Sequence, residues 1–437
     1  MKNRLIQRKV IALGGSMLLV AALAACSAQT PPQTTEPTDS GEPVEITFAS
    51  FLRNSAAVVD AYNAAQDDVI VTFEEVPATE NYTQLLNRQS AGTLPDVVTT
   101  DYAFVAEMAT QGVLQDIKEQ AGSLVSENYP EAIQDLVNFG DALWGIPLDV
   151  GVMQLYYRAD RFEELGIEVP TTWDEYAEAA AAVKAADPNS RIGASITIDD
   201  LFYPALAWQA GGQWADVEGD AWKINIDDKA SAEVAKTHQA LLDNDLVWAD
   251  APEVLNQKQA DGTMLSVISG SWYAAGLAST YPDQSGLWRV AQLPSPTSEP
   301  ATAMRGGSAF GVSSDSEHVD AAVDFITWMT TTPEGIEARI AGGASSVFPV
   351  SEDAREVASA AFDPTFFGGQ DIYDVALAGY ESIPAGWVWA PSTSAMLTAF
   401  ADKGPLVRNK TFPIADMFPL AEDAAIDALE SRGIEVR

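Results

Sequence analysis

The sequence predicts an α/β protein of two domains, and three observations carry that reading. Between residues 44 and 99, short β-branched runs alternate with stretches of helical spacing, the pattern of parallel strands joined by crossover helices. At 143–176 an acid-bearing turn, an apolar run and a capping-box sequence follow one another. A run that short, bounded by Pro and Gly, predicts a strand buried on both faces. Finally, 437 residues are enough chain for two cores.

The first 25 residues stand outside this fold. Lys2, Arg4, Arg8 and Lys9 form a basic region, Val10 to Leu23 an apolar one, and Leu23-Ala24-Ala25-Cys26 a small-residue cleavage site ending in Cys. That is the pattern of a lipoprotein signal peptide, which implies cleavage before Cys26 and acylation (palmitate) of its thiol. The alternatives are a plain signal peptide with a chance cysteine, or an uncleaved anchor. Cys26 is the single cysteine, so disulfides and thiolate catalysis are excluded. An acylated Cys26 places the protein body in water on the outer face of the cell membrane. Residues 26–43, rich in Pro, Thr, Ser and Glu, are expected to be a solvated tether.

With residues 1–25 removed, 20 Lys and Arg face 63 Asp and Glu, a formal charge of −43. Such a surface repels phosphate backbones, so no nucleic-acid partner is expected. No Asp-x-Asp-x-Asp-Gly loop is present, and no metal or other cofactor is expected.

The elements follow in order. Val44 to Ala49 alternates as a first strand, Val58, Val59 and Tyr62 have helical spacing, and Val69 to Phe73 makes a second strand. A helix near Tyr82 to Ala91 leads to a third strand at Asp96 to Thr99. Ligands of parallel sheets bind at carboxyl ends of strands, which makes Asp101 and Tyr102 candidates. The apolar run Val150 to Tyr157 is the buried strand, with Asp149 at its entrance, and Thr172-Trp173-Asp174-Glu175 caps the next helix. Arg191 to Ile198, a helix from Leu201 to Ala210, a hairpin-like stretch with Trp214 and Trp222, and a helix Ser231 to Asn244 form a second α/β unit; Asp199 and Tyr203 are its positional candidates. A strand from Gly262 ends in Gly270-Ser271-Trp272, and the strand Trp288 to Leu293 runs into a Pro-Ser-Pro linker. Arg305-Gly306-Gly307 and the residues to Val312 read as turn plus strand. Ser314-Asp315-Ser316-Glu317 predicts a capped helix with Val319, Ala322, Val323, Ile326 and Met329 on one face, and Thr332-Pro333-Glu334 another helix start. Helices to about Leu429 follow Trp387, Trp389 and Pro391.

Catalytic motifs are absent. His238 and His318 have no partner at metal-ligand spacing and are expected on the solvated surface. Neither Gly-x-Ser-x-Gly nor a phosphate-binding Gly-x-x-x-x-Gly-Lys occurs. A glycosidase pair among 63 acids has no motif to reveal it, so a surface glycosidase stays open as the rival class. For binding, a sugar needs flat aromatics for its C–H faces and planar polar groups for its hydroxyls. Trp272, Tyr273, Trp387, Trp389, Tyr102, Tyr203 and Trp144 lie at strand ends or turns; Trp173 and Trp328 lie on helix faces and are assigned to core.

The run IPLDVGVMQLYYRADRFEELGI followed by PTTWDE, together with Leu94-Pro95-Asp96-Val97-Val98, Gly112 to Ile117 and the segment from Arg305 to Val350, resembles the extracellular solute-binding proteins of carbohydrate ABC transporters. The resemblance implies a periplasmic-binding-protein-like type II fold: two discontinuous α/β lobes around a ligand cleft, joined by hinge strands. The implied lobes are 44–152 plus 297–342 and 153–296 plus 343–437. Trp272 matches the stacking tryptophan of a Gly-Pro-Trp turn, Ser271 in place of Pro leaving the turn less fixed. Trp389, or Trp387 instead, stands where the family has a second stacking aromatic. Asp149 matches an acid at the lobe crossing, and Arg305, Gly306 and Gly307 a loop on the ligand side. A turn acid and a surface turn are the respective alternatives. The resemblance implies a non-enzymatic, monomeric, lipid-anchored protein that captures a carbohydrate and delivers it to ABC permease subunits. A polyol, phosphorylated polyol or peptide ligand remains as a second alternative.

Overall fold

The computed structural model describes residues 42–195, 201–219 and 221–437. Asp199 and the predicted signal peptide, Cys26 included, lie outside these residues, as does all but the end of the predicted tether. Twelve strands are numbered in chain order: β1 Val44–Ser50, β2 Val69–Glu75, β3 Val97–Asp101, β4 Asn138–Phe139, β5 Ala142–Leu143, β6 Ile146–Pro147, β7 Met153–Arg158, β8 Ala215–Glu218, β9 Ala221–Ile224, β10 Ser266–Gly270, β11 Trp288–Gln292 and β12 Ser308–Val312.

Two sheets organise the body, one five-stranded in the order β2-β1-β3-β12-β6, the other three-stranded in the order β10-β7-β11. In the first, β1 lies parallel to β2 and β3, as the alternation of strand and helix predicts, and β12 enters antiparallel between β3 and β6. Its core is aromatic: Phe48 meets Phe310 and Phe325 edge-on with ring centroids 5.6 and 5.4 Å apart. In the second sheet β7 is central and antiparallel to both neighbours. Met153, Gln154, Leu155 and Tyr156 are all buried, so this strand is covered on both faces, as its apolar character, interrupted at Gln154, predicts.

The predicted strand Val150 to Tyr157 is therefore two things. Its second half is β7; its first half is a passage between the sheets. Residues 148–153 run there beside two other passages, with Val150 N–H donating to the Phe348 carbonyl (2.9 Å), Met153 N–H to Ala303 (2.9 Å) and Arg305 N–H to Gly151 (2.8 Å). Gly151 sits at the closest approach, where a Cβ would overlap the Arg305 carbonyl oxygen.

Local capping signals had mixed outcomes. Thr172 forms the predicted box, accepting from Glu175 N–H at 3.2 Å while the Glu175 carboxylate accepts from Thr172 N–H at 3.3 Å. Thr332 likewise caps the helix Pro333–Ile340. The box at 314–317 does not form: Ser314 donates to the Gly112 carbonyl and Ser316 to Asp96, and the helix begins only at Val319. Tertiary acceptors took both hydroxyls, although the predicted apolar face from Ala322 to Met329 does pack inward. His318 is exposed as expected, but His238 is not. His238 is 8 % exposed, edge-on to Trp173 and Phe202 at 5.1 and 5.6 Å, and burial pulls its imidazole down to about 4, so it is neutral. The face of helix Lys229–Asp243 that carries it is a packing face.

Candidate functional site

A cavity of about 520 Å³ opens at the carboxyl edge of the five-stranded sheet. Each strand end contributes to its floor: Phe51, Leu52 and Arg53 after β1, Thr79 after β2, Asp101 as the last residue of β3, Asp149 beyond β6. The loop Gly306-Gly307 comes to the same edge because β12 pairs antiparallel with β3, setting Ser308 opposite Asp101. Trp272, Arg305, Ser345 and Val347 line it as well. The size falls in the range of small-molecule sites, about 300 to 1,000 Å³.

Two acids face this space. The Tyr82 hydroxyl donates to Asp101 Oδ2 at 2.6 Å and accepts from the Asp101 backbone N–H at 2.8 Å. Burial pushes the Asp101 carboxyl up to about 6, against the opposing effect of the Tyr82 bond. Asp149 is 2 % exposed and accepts from Ser308 N–H at 2.8 Å. Burial raises it to about 7, aided by the charge of Asp101 and opposed by the Ser308 bond and the buried Arg339 guanidinium behind it.

The apolar wall is built from rings. Tyr82, from helix Asn81–Ala91, stacks on Phe104 with centroids 3.6 Å apart and planes 12° from parallel, and both line the cavity. Trp272, which also lines the cavity, stands 38 % exposed, an unusual degree for so large an apolar side chain, with its indole N–H donating to the Arg305 carbonyl at 2.9 Å. The indole folds back over Gly270, where a Cβ would sit 2.8 Å from Cδ1. Ser271 does not leave this turn loose: its hydroxyl donates to the Val150 carbonyl at 2.9 Å, and Ser346 and Tyr156 donate to the Ser271 and Gly270 carbonyls. Hydrogen bonds replace the ring constraint a proline would have supplied. The Arg305 guanidinium lies 5.7 Å from the Trp272 ring centroid and donates to the Ile268 carbonyl and the Ser269 hydroxyl, both at 3.3 Å.

Gly306 and Gly307 hold φ of 78° and 102°, a region open to glycine and costly for other residues. At Gly307 a Cβ would stand 2.9 Å from the Tyr102 ring and 3.1 Å from the Asp149 carbonyl oxygen. The loop is thus glycine both for its angles and for its closeness to the acid.

Of the residues singled out from the sequence, Asp101, Asp149, Trp272, Arg305, Gly306 and Gly307 come together at this cavity. The others among the described residues lie elsewhere. Tyr102 is 1 % exposed beneath the Gly307 loop, its backbone N–H donating to the Gly307 carbonyl at 3.0 Å. Tyr203 is core, packed among Phe202, His238, Phe400 and Phe418. Tyr273 sits behind Trp272, its hydroxyl bonded to Gln259. Trp387 and Trp389 pack edge-to-face at 5.2 Å, with Trp387 stacked on Trp208; the void beside them is about 20 Å³, room for one water. Trp144 is stacked on Phe139. Sequence reading passed over Tyr82 and Phe104, because both have ordinary helical spacing; only their position after β2 and at β3 marks them.

A model of the bacterial extracellular solute-binding protein family matches residues 50–336. A lactose-binding protein of Rhizobium radiobacter is 25 % identical over 386 residues, spanning 85 % of this chain and 88 % of that protein. Among solved structures, the galacto-N-biose/lacto-N-biose I-binding protein of an ABC transporter from Bifidobacterium longum superposes with a TM-score of 0.80 at 26 % identity, over 91 % of this chain and all of that one. An ABC transporter associated binding protein from B. animalis subsp. lactis Bl-04, solved with β-1,6-galactobiose, gives 0.79 at 25 % identity over 90 % of this chain and all of that one. The type II periplasmic-binding-protein fold of these neighbours is the fold of this chain.

Proposed function

We propose a function from one premise: this chain belongs to the bacterial extracellular solute-binding proteins. It is a binding protein of an ABC importer that captures a sugar or oligosaccharide and presents it to the membrane permease. The observation that carries this is the cavity itself, in which an exposed Trp272 and the Tyr82–Phe104 stack face Asp101 and Asp149. Aromatic faces suit the C–H surfaces of a pyranose, and buried carboxylates and a guanidinium suit its hydroxyls. We read the protein as a binder and not a hydrolase.

We assign the five-stranded sheet to a lobe of residues 44–152 plus 297–342 and the three-stranded sheet to a lobe of 153–296 plus 343–437. The passages at 148–153, 302–305 and 347–350 then form the hinge, and closure about it sequesters the ligand. Among the described residues no helix is long and apolar enough to cross a membrane. In our reading Cys26 carries the acyl anchor, residues 27–43 are the tether, and the body works as a monomer outside the membrane.

A thermal-shift panel tests the ligand class. Lactose, β-1,6-galactobiose, maltotriose, arabino-oligosaccharides, polyols and short peptides are added in excess. A ligand at a hundred times its Kd stabilises the native state by about 2.7 kcal/mol, a readily measured rise in Tm. A shift with polyols or peptides and with no sugar would overturn the carbohydrate assignment.

A further inference from the structure

Trp272 and Arg53 line a second cavity as well as the first. This outer compartment, about 480 Å³, has a different character from the inner one. Its walls are Glu253, Asn256 and Gln257, from helix Pro252–Ala260, and Thr280 and Tyr281 at the end of helix Tyr273–Thr280. It holds no buried acid and no stacked ring pair. Polar side chains line it, as suits the wetter end of a ligand.

The two compartments meet at Trp272. The indole is anchored through its N–H to the Arg305 carbonyl, so it is held in place where the two compartments adjoin. Arg53 crosses from the loop after β1 to lie over helix Tyr273–Thr280, its Nη2 3.2 Å from where a Cβ on Gly276 would be. A larger residue at 276 would push it away. The Arg53 side chain makes no hydrogen bond or ion pair among the described residues, leaving its donors to whatever occupies the trough.

We infer that the outer compartment is a binding site for the distal units of a linear, uncharged oligosaccharide of at least three sugars, which passes over Trp272 with its inner end at Asp101 and Asp149. The inference rests on the carbohydrate reading and adds chain-length selection to it. A disaccharide is satisfied by the inner compartment alone. Each further unit exchanges water for contacts with the outer wall, and one or two net hydrogen bonds correspond to about tenfold in affinity.

The test is calorimetric titration of the intact protein with β-1,6-linked galactobiose, galactotriose and galactotetraose, and with maltose, maltotriose and maltotetraose. In one series the trisaccharide is expected to bind about tenfold tighter than the disaccharide. Asn256→Ala/Gln257→Ala removes outer side chains, and Thr280→Trp fills the compartment from an exposed position. Both should bring the trisaccharide down to the disaccharide's affinity while leaving the disaccharide unchanged. Equal affinity of di- and trisaccharide for the wild-type protein would overturn the inference and spare the carbohydrate reading. So would an equal loss for both ligands in both variants. If neither series binds while another class raises Tm, the carbohydrate reading falls and this inference with it.

Discussion

Replacing Asp149 by Asn is expected to make the ligand-free protein more stable at neutral pH and a poorer binder. Asp149 is buried, and its carboxyl is raised to about 7 even though Ser308 N–H and the Arg339 charge favour its ionised form. An unfolded aspartate titrates near about 3.9. Between those values the folded chain holds a proton that the unfolded chain has released, so stability falls as pH rises through the window and levels off above about 7. At roughly 1.4 kcal/mol per unit the whole window amounts to about 4 kcal/mol. Asn keeps the shape and has no proton to lose. Urea denaturation followed by tryptophan fluorescence at pH 5, 6, 7 and 8 should show the variant gaining on wild type by about 2 to 3 kcal/mol between the first and last points. Asp101, raised to about 6, adds its own decline below that pH in both proteins and cancels in the difference. At pH 8, where the carboxylate is ionised, sugar affinity should drop by about tenfold or more, the usual effect of losing a charged hydrogen-bond acceptor. Parallel stability profiles, or a variant less stable at pH 8, would show that Asp149 is not held in its neutral form and would refute the reasoning.

Four further outcomes are expected. Trp272→Ala should weaken sugar binding by about 1 to 3 kcal/mol with Tm nearly unchanged, since the ring is already partly in water; calorimetry and a melting curve check both. Trp389→Ala should do the reverse, costing about 3 to 5 kcal/mol of stability because the ring is 9 % exposed and packed on Trp387, and a lowered affinity at unchanged Tm would return it to the site. Gly307→Ala should destabilise by about 1 to 3 kcal/mol and abolish binding, since its φ of 102° and the Tyr102 ring leave no place for a methyl; denaturation and titration of the same preparation decide it. Cys26→Ser should release the protein from membranes into the medium and abolish palmitate labelling, and continued membrane retention would count against acylation at Cys26.

How far the sequence carried depended on the range of the interaction. Asp101 and Trp272 were legible because one sits at a strand end and the other at a turn, and local pattern shows where strands end; Asp149 and the Gly306-Gly307 loop were singled out through the family resemblance. The Thr172 cap was legible because its partner is three residues away. Ser314 has an equally good cap partner in sequence, yet distant acceptors claimed it and its neighbour Ser316. Trp387 and Trp389 carry the same turn-like signature as Trp272, but Trp208 and Trp214 from another part of the chain pack on Trp387, while Trp272 is left 38 % exposed. Tyr82 and Phe104 look like ordinary helical residues until the first sheet sets their helices against one cavity. By itself, then, the sequence determined the order of elements and the strand-end half of the candidate site, which follow from local periodicity and turn chemistry, while its longer motifs carried the resemblance to the family. Only the tertiary structure decided which aromatics stay open to a ligand, which histidine is buried and what the acids titrate like. Burial depends on residues hundreds of positions apart, and it is burial that turns a ring into core or into a binding face.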